Sequence, residues 1–376
     1  MSMKWGFVFL WLFLAAYLLY CTSFNPRNAE AGYEQYGKNR YRQAPGPQKK
    51  VEFIPRILFS YRKETSLVVG AAMMLNMQPE PEKRVSSVSL AATYSLNRQL
   101  NFWFTPVISW KKEEYKLLGN MAYFGGPASF YGIGNNTIRS DREYYTSRNF
   151  DLWVSLSKRL YSGLYAGLGY QYKNTKITNV EEGKLLAGGT VPGSEGGGIS
   201  GIGIFTAWDA RNNKVFPESG GYHQFNSRFY GAYLNSDYVF SSFSVDLRYY
   251  QPLFASHVLA FQVAAGILAG DPPFQELNSL GKYLRGYAGN RFMDKHFAVF
   301  QTEYRLPLFR RLGFVGFAGV GQVAGSLRDV SFRELKPSGG VGIRVGVFPE
   351  ERLKLRVDLG FGSDEVSIDI GVGEAF

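Results

Sequence analysis

The chain has 376 residues, a formal net charge of +11, 16% aromatic residues and 43 glycines. A compact soluble enzyme rarely combines so much glycine with so many aromatics, whereas short strands with tight inner faces and aromatic girdles do. A lone cysteine, Cys21, rules out an internal disulfide framework, and the isolated His223, His257 and His296 offer no metal-ligand cluster.

Residues 1–24 place Lys4 before an apolar run from Trp5 to Tyr20, the layout of a signal peptide; a transmembrane anchor is the rival reading. Residues 25–65 follow as a polar, Pro- and Gly-containing tail, expected to be periplasmic, that ends in VEFIPRILFSY. That last segment is expected to pack as a short element at the base of the domain. Beyond residue 25 no apolar run is long enough for a membrane helix.

Residues 66–376 instead alternate. In LNFWFTPVISW, Leu100, Phe102, Phe104, Ile108 and Trp110 oppose Asn101, Thr105 and Ser109. In FDLWVSLSKR, Phe150, Leu152, Val154 and Leu156 oppose Asp151, Ser155 and Ser157. In LKLRVDLGF, Leu353, Leu355, Val357 and Leu359 oppose Lys354, Arg356, Asp358 and Gly360. The final segment puts Val366, Ile368, Ile370, Val372 and Phe376 on one face, with Glu374 as an intruder there. Period two with one apolar and one charged face fits a barrel whose outside meets lipid and whose lumen is wet.

Sixteen strands are predicted, near 66–77, 85–97, 100–111, 115–125, 129–138, 144–159, 163–176, 198–210, 221–235, 237–251, 256–269, 294–306, 312–325, 337–348, 352–361 and 365–376. The fold class is therefore all-β, a 16-stranded antiparallel transmembrane β-barrel. The connections at 97–99, 126–128, 160–162, 211–220, 252–254, 307–309 and 349–351 are expected on the periplasmic side. The long ones, 177–197 and 270–293, are expected outside the cell.

The second long connection contains LRGY at 284–287. With FQTEYRLPL (300–308), DARNNKVFPESGGY (209–222), FYGIGNNT (130–137) and the terminal SIDIGVGEAF, it resembles the barrel-assembly and bacterial surface-antigen superfamily of outer-membrane proteins. The resemblance spans most of 66–376. It implies a loop folded back into the lumen, carrying Leu284, Arg285, Gly286 and Tyr287, with Arg285 on an inner-wall acid. Glu303 is the expected partner, since alternation groups it with Gln301 and Arg305. The family's second acid stands in a Phe-x-Asp-x-Gly pattern; here Phe317-Ala318-Gly319-Val320-Gly321 has Gly319 in its place, so one carboxylate is expected. Phe376 is expected to be the terminal assembly signal.

Family members that handle substrates carry periplasmic POTRA modules, and 25–65 leaves no room for one. The resemblance implies protein insertion, assembly or translocation in a Gram-negative-type outer membrane, with a periplasmic partner protein standing in for POTRA. Outer-membrane lipid and, during biogenesis, the barrel-assembly machinery are the other expected partners. A porin-like channel and a surface-antigen barrel without transport are the alternatives. Inward positions Arg228, Asp246, Arg248, Arg344, Lys354, Arg356 and Asp358 make a mixed-sign wall, which suits a packed lumen network better than a selective pore. No enzyme activity, cofactor, metal or nucleic acid is expected: His223 and Ser227 share a face but lack the rest of a hydrolytic site, and GSEGGGISGIGIF lacks the Lys-Ser/Thr of a phosphate loop.

Overall fold

The structure is a computed structural model that describes residues 51–62, 66–77, 86–111, 113–214, 216–309, 311–348 and 353–376. The expected signal peptide (1–24) and the tail up to residue 50 lie outside the described residues. The strands are β1 (Val51–Arg62), β2 (Ser66–Met77), β3 (Ser86–Ser95), β4 (Leu100–Trp110), β5 (Tyr115–Phe130), β6 (Glu143–Tyr161), β7 (Leu164–Thr178), β8 (Gly196–Asp209) and β9 (Gly220–Tyr230). They continue as β10 (Phe240–Pro252), β11 (Val258–Gly270), β12 (Asn278–Ser279), β13 (Met293–Asp294), β14 (His296–Phe309), β15 (Leu312–Ala324), β16 (Lys336–Phe348), β17 (Leu353–Phe361) and β18 (Val366–Val372). Among the described residues, all but β12 and β13 form one closed antiparallel barrel of sixteen strands, in chain order. The short β12 and β13 pair with each other inside the 271–295 connection, so β11 and β14 are neighbours in the wall.

Alternation sets the two faces. On β14, Val299, Gln301, Glu303 and Arg305 are buried in the interior, whereas Ala298 and Phe300 are exposed outside. On β16, Val341, Ile343 and Val345 are exposed while Gly342 and Arg344 are buried. An exposed band of aliphatic and aromatic side chains is what a strand needs against lipid.

Two elements differ from the sequence expectation, and they offset each other in the strand count. Val51–Arg62 is a wall strand, not a base element, so the barrel begins before residue 66. Pro55 lies in the middle of this strand. It is tolerated because β1 lies at the seam: its other edge meets β18 at Tyr61↔Ile370, the one register pair of that seam among the described residues. Conversely, 129–138 is not a separate strand. The expected connection Gly126-Pro127-Ala128 is part of β5, which runs through it to Phe130, paired with β6 along the way. β4 ends opposite Gly125, so Pro127 lies beyond it, where a missing N–H costs no ladder bond. The 97–99 turn is consequently at the same rim as 131–142, 179–195 and 271–295, not the opposite one.

The end of the chain differs as well. β18 stops at Val372, the chain turns at Gly373 (φ 93°), and Glu374 and Phe376 leave the outer face. Phe376 is buried against Tyr250, Val258 and Ala260 of the inner wall.

The rim with the long connections is filled with apolar side chains. Leu186 of the 179–195 connection and Phe274, Leu277 and Met293 of 271–295 cluster with Phe130, Tyr145, Ile177, Ile199, Tyr230, Phe240 and Leu268. The two connections also bond to each other, through Phe274 N to Pro192 O (2.8 Å) and Gln275 Nε2 to Gly193 O (2.6 Å).

Candidate functional site: a loop anchored in the lumen

From that rim, 280–292 descends into the barrel. Leu280, Leu284, Tyr287 and Phe292 pack against Ala264, Phe297, Val299 and Val323. This apolar contact holds the loop on β11, β14 and β15 and delivers Arg285 to the wall. Gly319 is part of the fit. A Cβ there would lie 2.8 Å from Leu284 Cδ2, so the missing side chain makes room for the leucine.

Arg285 is 9% exposed, and its Nη1 is 2.8 Å from Glu303 Oε2 and 2.8 Å from Asp358 Oδ2. Its directed hydrogen bond goes to Asp358, and the guanidinium lies 3.5 Å from the Phe317 ring centroid. A buried guanidinium is costly unless paired and hydrogen-bonded. Here two fully buried carboxylates take Nη1 and the Phe317 ring faces the guanidinium, while Nε and Nη2 have no hydrogen-bond partner among the described residues. The expectation of a single carboxylate is therefore corrected: Asp358, on β17, provides the second acid.

The acids are shared. Glu303 Oε1 accepts from Arg305 Nε (2.8 Å), and Asp358 Oδ1 accepts from Arg344. Arg344 Nε donates to Glu374 Oε2 (2.7 Å), while Arg356 Nε and Lys354 Nζ lie 3.6 Å from Asp358 and Glu374 respectively. Arg305 also donates to the carbonyls of Pro217 (2.8 Å) and Phe376 (2.9 Å). The inward-turned chain end is thus tied to the network that holds the loop.

Backbone contacts complete the seat. Gly286 N donates to Ser367 Oγ (2.9 Å), Ser338 donates to Arg285 O, and Ala288 N donates to Glu365 Oε2 (2.8 Å). Tyr287 donates to the Pro337 carbonyl and accepts from Ser363 N (3.0 Å). Higher up, Arg291, 1% exposed, donates to Asp364 Oδ2 (2.8 Å) and to Thr137. Sequence reasoning did not single out Ser338, Ser363, Asp364, Glu365 or Ser367 as partners. Their only visible signal is polarity at the strand ends of β16 to β18. Of the other inward positions, Arg248 pairs with Asp246 (2.6 Å) and Arg228 lies over Trp153. On the outer face His223 stacks on Trp208, and Ser227 donates to Ile204 O.

A sixteen-stranded barrel occupied by its own arginine-bearing loop defines a class of plugged membrane barrels. The chain belongs to the Omp85 superfamily, whose domain model matches residues 83–370. Among solved structures it is similar to BamA from Haemophilus ducreyi lacking POTRA domains 1–3, at 12% identity and a TM-score of 0.62, covering 87% of this chain and 70% of that one. It is also similar to CdiB from Escherichia coli (12% identity, TM-score 0.57, 93% of this chain and 71% of that one). CdiB from Acinetobacter baumannii gives 12% identity and a TM-score of 0.57, over 86% of this chain and 60% of that one. At such identity these likenesses concern the fold. A search of curated proteins found no match.

Proposed function

We propose that this protein is an integral outer-membrane barrel that takes part in inserting or translocating other proteins, working with a periplasmic partner. The observation that carries this reading is the seating of Arg285 between Glu303 and Asp358, which keeps a loop inside the lumen. A passive channel gains nothing from such a plug. A barrel that engages a client gains a held element with polar attachments on several strands, β14, β16, β17 and β18 among them. The porin-like alternative predicts steady conductance; a plugged, mixed-sign lumen favours its absence. Phe376 is read as the assembly signal used during the protein's own biogenesis, and outer-membrane lipid as its solvent.

Crosslinking in intact membranes, followed by purification of the barrel, should capture a periplasmic protein. Recovery of the barrel alone, with a large steady conductance when reconstituted, would replace this reading by a channel.

Orientation belongs to the same proposal: the rim with 179–195 and 271–295 faces outside. Gly183 has open space around it. An epitope inserted after it should be reached by antibody on intact cells. Labelling that needs outer-membrane rupture would reverse the orientation.

A further inference from the structure

Resting on that outer-membrane reading, we propose that Arg148 and Lys176 bind the phosphate headgroup of a lipid in the outer leaflet. The two residues are register partners on β6 and β7, and both are exposed. Their strand phase is outward. The same side of the sheet carries Phe150, Leu152, Val154 and Leu156 on β6 and Leu168, Tyr170 and Tyr172 on β7, whereas Asn149, Ser155, Gln171 and Thr175 are buried on the inner side. Directly opposed side chains lie about 5 Å apart at Cβ, and like charges in that position repel. Neither cation has an ion pair among the described residues. Glu195, which precedes the Gly196 that pairs with Lys176, forms no ion pair with it among the described residues.

Position along the strands gives the class of ligand. Immediately below the two cations the outward row is Tyr123, Phe150 and Asn174, then Met121, Leu152 and Tyr172, with Phe150 and Tyr172 rings 6.3 Å apart. Such aromatics mark the boundary of the apolar band. Level with them on β5, the third residue of the cations' own row is Gly125, where a Cβ would lie 3.4 Å from the Arg148 stem. The cations therefore sit at headgroup height, toward the rim assigned to the cell exterior, over a surface suited to acyl chains. A phosphate placed between them would relieve their repulsion. A chain-bearing phosphate would also use the aromatic surface below, which a free phosphate cannot do.

The test is native mass spectrometry of the full chain in detergent, titrated with diphosphoryl lipid A. A basic residue near an anionic membrane surface contributes about fivefold in affinity, so Arg148→Gln with Lys176→Gln should lose roughly thirtyfold. Lys158→Gln, on the same strand face at the opposite end of β6, should bind as the parent does. A tenfold excess of inorganic phosphate should not displace the lipid. Equal binding by parent and double variant would overturn the site, and displacement by inorganic phosphate would overturn the lipid assignment. Membrane fractionation reports on the outer-membrane reading separately, because lipid binding by the purified chain does not depend on where the cell places it.

Discussion

Arg285→Ala is expected to free the 271–295 loop and leave the barrel folded. Breaking one side of a buried ion pair costs about 3–5 kcal/mol when the remaining charge is stranded. Here it is not stranded. Without Arg285, Glu303 keeps Arg305 and Asp358 keeps Arg344, with Arg356 nearby. The loss should therefore be smaller, about 2–3 kcal/mol, and confined to the loop, or roughly a hundredfold faster hydrogen exchange over 280–292. The wall ladders do not depend on this residue, so migration as a heat-modifiable barrel should persist. Asp358→Asn should act more strongly than Glu303→Gln, since Asp358 accepts the directed hydrogen bond of Arg285 and also holds Arg344. Combining either with Arg285→Ala should be less than additive. Unchanged exchange in Arg285→Ala would show that the apolar contacts of Leu284 and Tyr287 hold the loop unaided.

The parts of this site that alternate were legible in the sequence. Period two assigns Glu303 to the inner wall beside Gln301 and Arg305, and places Arg344, Lys354, Arg356 and Asp358 inward. It could not say that Asp358 and Glu303 meet. They stand on β17 and β14, three wall positions apart, and only the curvature and register of β15 and β16 bring their side chains onto one guanidinium. Gly319 was misread for a related reason. A missing acid looks like a lost contact in one dimension, but in space the vacancy is filled by Leu284 from the loop. Pro127 explains the extra strand: 126–128 was expected as a connection, yet Pro127 lies past the end of β4, where its missing N–H interrupts no ladder. The inward turn of Glu374 and Phe376 had one local signal, the charged Glu374 on the apolar face just after Gly373, but their partners Arg344 and Tyr250 are remote in sequence.

Gly286→Ala should disturb the loop at least as much as Arg285→Ala, although it removes no interaction. Gly286 has φ 105°, a region that L residues rarely enter. An added Cβ would lie 2.5 Å from the carbonyl carbon of Phe361 and 2.6 Å from Gly362 N, both backbone atoms of the β17 end. Backbone cannot rotate away as a side chain can, so the loop must lift. The approach is tight from the other side too: a Cβ on Gly360 would meet Gly286 N at 2.6 Å. Strain of about 1–3 kcal/mol and overpacking of about 1–3 kcal/mol combine at this position. Lifting the backbone also draws Gly286 N from Ser367 Oγ and the Arg285 guanidinium from Asp358. Gly289, three residues along the same loop, has negative φ and nothing within 4 Å of a built Cβ. Gly289→Ala therefore serves as the matched control. Exchange over 280–292 should rise in Gly286→Ala, with faster proteolysis beside Tyr283, and stay at the parental rate in Gly289→Ala. Equal behaviour of the two variants would mean that the loop does not rest on the β17 backbone as closely as the structure has it.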